Sequence, residues 1–391
     1  MPTNISRYVE GIERSWIREM PVLAAKLHDT VSLGQGIPSF ELPRYIKDAL
    51  ATALYEVPSI NRYSLQPGMP ELREEVAKRL KVKKGIDIDP EKELFISAGS
   101  MEGLNSVIRT VVHDGDEVII PSPAYEPHIN LVRMYGGRPV FVKSIEEEGW
   151  RYDLDGLEKR ITDKTKSVIL CNPSNPTGYL LEERELRAIC DLALKHDFYV
   201  ISDEAYDFLV YDGKEHFSPA SAPEYKDKVI VTGTFSKEFA MTGFRVGHVY
   251  GSPNVIENAT KVHDNTVICA PTIGQFAALF ALTRNPDRNY SEQFMAEFTE
   301  RRALILERLE RLNEFFEYQK PMGAYYVFPR IKIPIKSSID FALELLYGAR
   351  VVTIPGSPFG EGGENHIRLS FAGEEEEINE AFDRLERYLV K

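Results

Sequence analysis

Residues 167–206 read SVILCNPSNPTGYLLEERELRAICDLALKHDFYVISDEAY. Ser167–Leu170 and Tyr199–Ser202 are short β-branched and apolar runs, and the longer Glu182–His196 segment between them has the period of a helix. A strand, a helix and a second strand in this order make a βαβ unit, which needs a largely parallel sheet to bury its apolar faces. The same alternation extends in both directions. Leu94–Ser97, Glu117–Ile120, Pro139–Val142, Val229–Thr232 and Val246–Tyr250 bring the expected strands to seven. Helices are expected near Glu102–Val112, Pro127–Tyr135, Asp153–Ile161 and Val255–His263. The fold class is therefore α/β, with a seven-stranded, mostly parallel sheet between helices.

Outside this block the character changes. Residues 1 to 45 form a charged helix-like segment followed by the loop Gly34-Gln-Gly-Ile-Pro-Ser39. Beyond Asn285 come a long charged helix, a strand pair around Gly323–Arg330 and Val351–Pro355, and a Glu-rich helix from Glu374 to Lys391. The expected organisation is a large domain over 46–284 and a smaller α+β domain built from both termini, 1–45 with 285–391.

The 391 residues carry 47 Lys plus Arg against 60 Asp plus Glu, a net charge of −13 that repels polyphosphate backbones and anionic lipid surfaces. Neither nucleic acid nor a membrane is expected as a partner. An anionic ligand would need local positive potential that overrides this field. The cysteines are Cys171, Cys190 and Cys269, at spacings that match neither a zinc ribbon nor a redox pair, and they suit a reducing cytoplasm. The eight histidines include no His-Glu-x-x-His helix, so no metal site is expected. The first twenty residues are interrupted by charges throughout and offer no apolar stretch for a targeting signal.

In an open α/β sheet, ligands collect at the carboxyl ends of the strands. After Leu94–Ser97 the chain reads Ala98-Gly99-Ser100-Met101-Glu102, small residues opening a helix whose free N–H groups suit a phosphate, although an ordinary Gly-Ser turn reads the same way. After Glu117–Ile120 comes Pro121-Ser-Pro-Ala-Tyr125, ending in an aromatic that by itself reads as packing. After Ser167–Leu170, two Asn-Pro pairs in Asn172-Pro-Ser-Asn175-Pro restrict the backbone twice and fix the Asn175 amide. Asp203 ends the next strand with Tyr206 three residues on, a pattern that a helix cap also produces. After Val229–Thr232, Lys237 lies among Thr234, Ser236 and small residues, with Arg245 eight positions later. A phosphate cradle, an aromatic face, an amide, a carboxylate with a phenol, and an amine able to form a Schiff base together suit pyridoxal 5′-phosphate.

In these residues the sequence resembles the class I aminotransferases of the fold-type I pyridoxal-phosphate enzymes, over essentially its whole length. The motifs are Asn172-Pro-Ser-Asn-Pro-Thr-Gly178, Asp203-Glu-Ala-Tyr206, Thr234-Phe-Ser-Lys237 with Arg245, and His366-Ile-Arg368-Leu-Ser-Phe-Ala372; weaker ones are Gly34–Phe40, Tyr63 with Pro67-Gly68, and Gly323-Ala-Tyr-Tyr326. The resemblance implies that Lys237 is the Schiff-base lysine and proton shuttle, that Asp203 pairs with the pyridinium nitrogen, and that Asn175 and Tyr206 hold the ring's O3′. Tyr125 would stack on the ring. The phosphate would lie among the Gly99, Ser100 and Met101 backbone, Thr234, Ser236 and Arg245, with Tyr63 reaching in from the other subunit of a homodimer. Arg368 would grip the substrate α-carboxylate with its fork, assisted by Gly36 and Asn175.

The activity this implies is a ping-pong transfer of an amino group from an L-amino acid to a 2-oxo acid, with 2-oxoglutarate as acceptor. Some aspartate aminotransferases of the family place a lysine near the distal carboxylate where this chain has Met101, so a neutral or aromatic side chain suits this site better, and Gly34-Gln-Gly-Ile-Pro resembles the kynurenine and aromatic branch. Aspartate transamination and a carbon–sulfur β-lyase on the same scaffold remain as alternatives. A ligand-sensing regulator is disfavoured by the lack of a basic helix-turn-helix segment. Gly34-x-Gly36-x-x-Ser39 is no dinucleotide fingerprint, because its third glycine is absent and Pro38 and Pro43 follow.

Overall fold

The computed structural model describes residues 5–12, 14–284 and 290–390. Positions 285–289, where the expected domain boundary falls, and Lys391, the expected end of the last helix, lie outside the described residues.

The central sheet has seven strands: β1 (Leu94–Ser97), β2 (Glu117–Ser122), β3 (Arg138–Lys143), β4 (Thr165–Cys171), β5 (Tyr199–Asp203), β6 (Val229–Thr234) and β7 (Gly247–Tyr250). Their order is β1-β7-β6-β5-β4-β2-β3. Only β7 runs against the others, pairing antiparallel with β1 and β6. Every residue of β1, β2 and β6 up to Gly233 is buried, because helices cover both faces and a sheet covered twice has no solvent side. At the edge, β3 exposes Arg138 and Lys143, charges that discourage pairing with another chain.

Helices Ser100–Val111, Glu126–Met134, Leu154–Lys159, Glu183–His196 and Pro253–Val267 alternate with these strands, within a few residues of the sequence expectation. Three further helices, Arg44–Glu56, Pro70–Lys84 and Thr272–Thr283, have no counterpart in that expectation. They pack together, Thr272–Thr283 touching both of the others.

Both ends of the chain meet in smaller sheets. Val31–Ser32 pairs in parallel with Val351–Val352. The expected pair of strands around Gly323–Arg330 and Val351–Pro355 is corrected here: Tyr326–Val327 and Ile354–Pro355 do not pair with each other, and each is antiparallel to Ile367–Ser370, which lies between them. Pairing of Arg368 with Ile354 puts a buried arginine at the centre of this sheet. The helices Tyr290–Arg311 and Glu375–Leu389 pack against one another over a core that includes Phe298, Ile305, Ile378 and Phe382. Among the described residues no helix is long and apolar enough to cross a membrane.

Candidate active site

The carboxyl ends of β1, β4, β5 and β6 face one cavity of about 510 Å³, within the usual range for a small-molecule site. Sheet register decides what lines it. Cys171 is opposite Asp203 and Thr234 opposite Gly247, so the last residues of three neighbouring strands share one rim. Gly36, Ser100, Met101, Tyr125, Asn175, Asp203, Tyr206, Thr234, Ser236, Lys237, Arg245 and Arg368 all line this space. Gly99 adjoins it through Ser100. Tyr63 does not: it is 77% exposed and lines a separate cleft with Arg62, Cys269 and Ile273.

Lys237 follows the β6 end, and its Nζ donates to the Gly36 carbonyl at 2.8 Å, a carbonyl that also accepts from Tyr325 Oη at 2.9 Å. Burial, then the positive charges of Arg368, Arg245 and Arg18, lower its amine from the ordinary 10.5 to about 8. At pH 7 that leaves about a tenth of the amines uncharged, against about one in three thousand for an ordinary lysine. Such an amine can act as nucleophile and proton carrier.

The Asp203 carboxylate is buried at the end of β5 and lies 3.0 Å from His128 Nε2. His128 is on the helix that Tyr125 opens, three residues along, so the aromatic and the histidine reach the site from one helical turn. The sequence contains that spacing, but nothing in it singles out His128 as a site residue. Tyr206 lies beyond Asp203 on a turn rather than a helix, and its phenol is 3.1 Å from the Tyr326 phenol. Desolvation raises Tyr206 well above its ordinary value, with the neighbouring Tyr326 and Tyr325 adding to the rise, so it stays a neutral donor.

Arg368 is 1% exposed. Its Nη1 donates to Asn175 Oδ1 at 3.0 Å and its Nη2 to the Gly34 carbonyl at 2.7 Å, while Nε has no partner among the described residues. The guanidinium lies over the Tyr326 ring, 4.5 Å from its centroid. With Asn175 Oδ1 occupied, the free end of that amide is its NH2.

The opposite wall is built for an anion. Gly99 caps the helix Ser100–Val111 at φ +80°, and a Cβ there would come within 2.4 Å of Arg245 Nη2, so the guanidinium lies directly against the glycine backbone. Thr234 Oγ1 accepts from the Ser236 N–H at 3.1 Å and donates to Ser236 Oγ at 2.9 Å. Behind the turn, Glu102 accepts from the Ala98 N–H at 3.0 Å and lies 2.9 Å from His263 Nδ1, fixing the approach to the helix start. Helix N–H groups, two hydroxyls and an arginine are the donor set that a phosphate dianion needs.

The remaining lining residues, Ile17, Arg18, Gln35, Ile37, Cys171, Ala205 and Tyr326 among them, are not marked as site residues by the sequence, although Gln35, Ile37, Ala205 and Tyr326 fall within motifs quoted for the resemblance. Arg18 is one charge on an amphipathic helix and carries no local sequence signal.

A doubly covered sheet with an amine of low pKa at a strand end, a phosphate cradle on one side and a buried arginine fork on the other defines an enzyme of group transfer on small carboxylates. Residues 28–385 match the family described as aminotransferase class I and II. The aspartate aminotransferase of Pyrococcus abyssi is 38% identical over 385 residues, 98% of each chain. Aromatic-amino-acid aminotransferase 2 of Thermococcus litoralis is 37% identical over 385 residues, again 98% of each. The solved aspartate aminotransferase from Thermus thermophilus with maleate superposes with a TM-score of 0.93 at 33% identity, covering 99% of this chain and 100% of that one. The chain belongs to the class I and II aminotransferases, and it is a transaminase that moves an amino group from an amino acid to a 2-oxo acid.

Proposed function

We propose that this transaminase works with pyridoxal 5′-phosphate held on Lys237, takes 2-oxoglutarate as acceptor, and acts as a cytoplasmic homodimer. The observation that carries the reading is the position of the low-pKa Lys237 amine between the anion cradle at Gly99 and Arg245 and the Arg368 fork. When bound, the cofactor supplies an electron sink for the carbanion left when the substrate Cα loses its proton.

The residues present fit that group. The Ser100 and Met101 N–H groups, Thr234, Ser236 and Arg245 would hold its phosphate. Asp203 would hold the ring nitrogen, with His128 fixing the carboxylate behind it. Asn175 and Tyr206 would hold the ring oxygen through their NH2 and phenol, and Tyr125 would cover one ring face. Arg368 would exchange its Gly34 carbonyl partner for the substrate α-carboxylate, with Asn175 and Gly36 beside it. Lys237, released from the Gly36 carbonyl, would take and return the Cα proton at Nζ. Met101, Ile17 and Ile37 give the mouth an apolar side that accepts uncharged or aromatic side chains.

The exposed Tyr63, in a cleft with Ile273 and Cys269, suits a surface that a second copy covers, its phenol reaching the partner's phosphate cradle. The substrate would be enclosed between residues 46–284 and the unit formed by 1–45 and 285–391. The experiment is a two-stage reaction. Amino acid alone should release one equivalent of its 2-oxo acid per protomer and then stop, and 2-oxoglutarate should then be converted to glutamate. Continuous release of ammonia without an acceptor would refute the reading.

A further inference from the structure

A second cavity, of about 440 Å³, adjoins the active site and shares Thr234 with it. It too is within the usual range for a small-molecule site. β6 and β7 pair with Val231 opposite Tyr250 and Gly233 opposite His248, so these residues share one sheet face and line the cavity together. A Cβ on Gly233 would lie 2.4 Å from His248 Nε2, so glycine is what admits the imidazole there. The helix Pro70–Lys84 adds Val76, Leu80 and Lys84 to the lining, and the helix Tyr290–Arg311 adds Met295.

Two segments wall both cavities. Of residues 203–207, Asp203, Ala205 and Tyr206 line the active site, while Glu204 and Asp207 line the second cavity. After β6, Ser236 and Lys237 line the first and Phe235 and Glu238 the second. A molecule in the second cavity would therefore press on the same backbone that carries Lys237 and Asp203.

The lining defines the chemistry of that molecule. Its charged members are four bases and four acids, and the least exposed are already paired: Lys84 with Glu204 at 2.7 Å and Asp207 at 2.6 Å, and Arg79 with Glu238 at 2.6 Å. An ion entering here would find no uncompensated charge. Phe235 and Tyr250 flank His248, the first edge-on with ring centroids 5.8 Å apart, the second nearly parallel at 6.0 Å, and such a wall suits another aromatic ring. Burial lowers His248 to about 4, so at pH 7 its imidazole is neutral, with one donor and one acceptor. His248 Nδ1 and Tyr250 Oη are buried without a hydrogen-bond partner among the described residues, and Ser218, beside the phenol, gives its proton to Glu204 Oε1 at 2.6 Å. Buried polar atoms are costly to leave unpaired, and a hydroxyl or N–H on an entering ring would answer them. The transamination proposed above gives His248 and Tyr250 no task.

We propose that this second cavity is an effector site for an uncharged aromatic molecule bearing a hydroxyl or ring N–H, coupled to the Lys237 site through the two segments that wall both cavities.

The probes are phenol and indole, with toluene and benzoate for comparison, titrated calorimetrically into the holoenzyme and the cofactor-free protein. Phenol should bind at least about threefold more tightly than toluene, the value of one hydrogen bond, and at least about tenfold more tightly than benzoate. The advantage over toluene should shrink in Tyr250→Phe and in His248→Leu and vanish in the double variant. Met295 is partly exposed and lines the second cavity but not the active site, so Met295→Trp should fill the cavity from that side and weaken both probes at least about tenfold. Coupling requires phenol affinity to differ about fivefold or more between the loaded and cofactor-free proteins, and cofactor affinity to shift by the same factor when phenol is present. Probe affinities unchanged in Met295→Trp, or a phenol advantage that survives the double variant, would place the probes elsewhere and overturn the site. No heat at about 10 mM phenol would do the same. Equal phenol affinity with and without cofactor would overturn the effector role. Every readout is a binding constant taken without turnover, so none depends on which substrates the enzyme transaminates.

Discussion

Replacing Arg368 tests two consequences of one side chain. The guanidinium is 1% exposed and makes two hydrogen bonds, 3.0 Å to Asn175 Oδ1 and 2.7 Å to the Gly34 carbonyl, where a substrate carboxylate would be gripped. Lysine keeps the charge but not the fork. One lost charge-assisted hydrogen bond is worth about 1.5–3 kcal/mol, so Arg368→Lys should lower kcat/KM about 10 to 150-fold. Arg368→Gln loses the charge and both bonds to the substrate, about 3–6 kcal/mol, and should lower kcat/KM by about 10² to 10⁴. The second consequence concerns Lys237. Arg368 is the largest charge lowering its amine, after burial itself. In the cofactor-free protein, the pH at which Lys237 becomes half-reactive towards an acylating reagent should be about 8, rise in Arg368→Gln, and rise far less in Arg368→Lys. Steady-state kinetics with several amino acids and mass-spectrometric labelling of the Lys237 peptide give both numbers. An Arg368→Lys enzyme within about threefold of the natural one, or labelling midpoints that do not separate the two variants, would refute the reasoning.

The same amine gives a stability prediction. Its folded pKa of about 8 lies below the ordinary 10.5. Between these values the unfolded chain binds more protons, so the cofactor-free protein should gain stability as pH rises through that window, by up to about 3 kcal/mol. Denaturant unfolding of the natural protein minus Lys237→Met isolates the gain; a difference that is flat with pH contradicts it. Gly99→Ala puts a Cβ within 2.4 Å of Arg245 Nη2 at φ +80°, so it should weaken cofactor affinity at least tenfold, read by equilibrium dialysis, with a smaller loss of stability. His128→Leu leaves the Asp203 carboxylate, now 3.0 Å from the imidazole, without that partner, and should cost about 1–3 kcal/mol in thermal or denaturant unfolding.

The sheet is legible in the sequence because its strands are covered on both faces. Runs such as Leu94–Ser97 and Val229–Thr232 are continuous, short, preceded by a charged residue and followed by a small one, and all seven appear where expected. The helix Thr272–Thr283 is not legible in this way. It packs against Arg44–Glu56 and Pro70–Lys84 and buries Gly274, Gln275, Ala277, Ala278, Phe280 and Ala281, so it lacks the polar face that marks an amphipathic helix. The terminal sheets escape for a different reason. Strands of two residues, such as Tyr326–Val327 and Ile354–Pro355, have no period to read, and their partner Ile367–Ser370 is fixed by tertiary packing. The site divides in the same way. Lys237, Asp203 and Asn175 follow strand ends and can be found by position. His128 and Arg18 reach the cavity from helices, where only the fold shows which way a side chain points.

The central claim is that Lys237 holds the cofactor while substrate is processed beside it. Borohydride reduction of the purified holoenzyme, followed by proteolysis and mass spectrometry, tests this directly. The account predicts one phosphopyridoxyl group per protomer, on the peptide containing Lys237, and its loss when amino acid is added before reduction. A label on any other lysine, or full labelling of Lys237 after amino acid has been added, would contradict it.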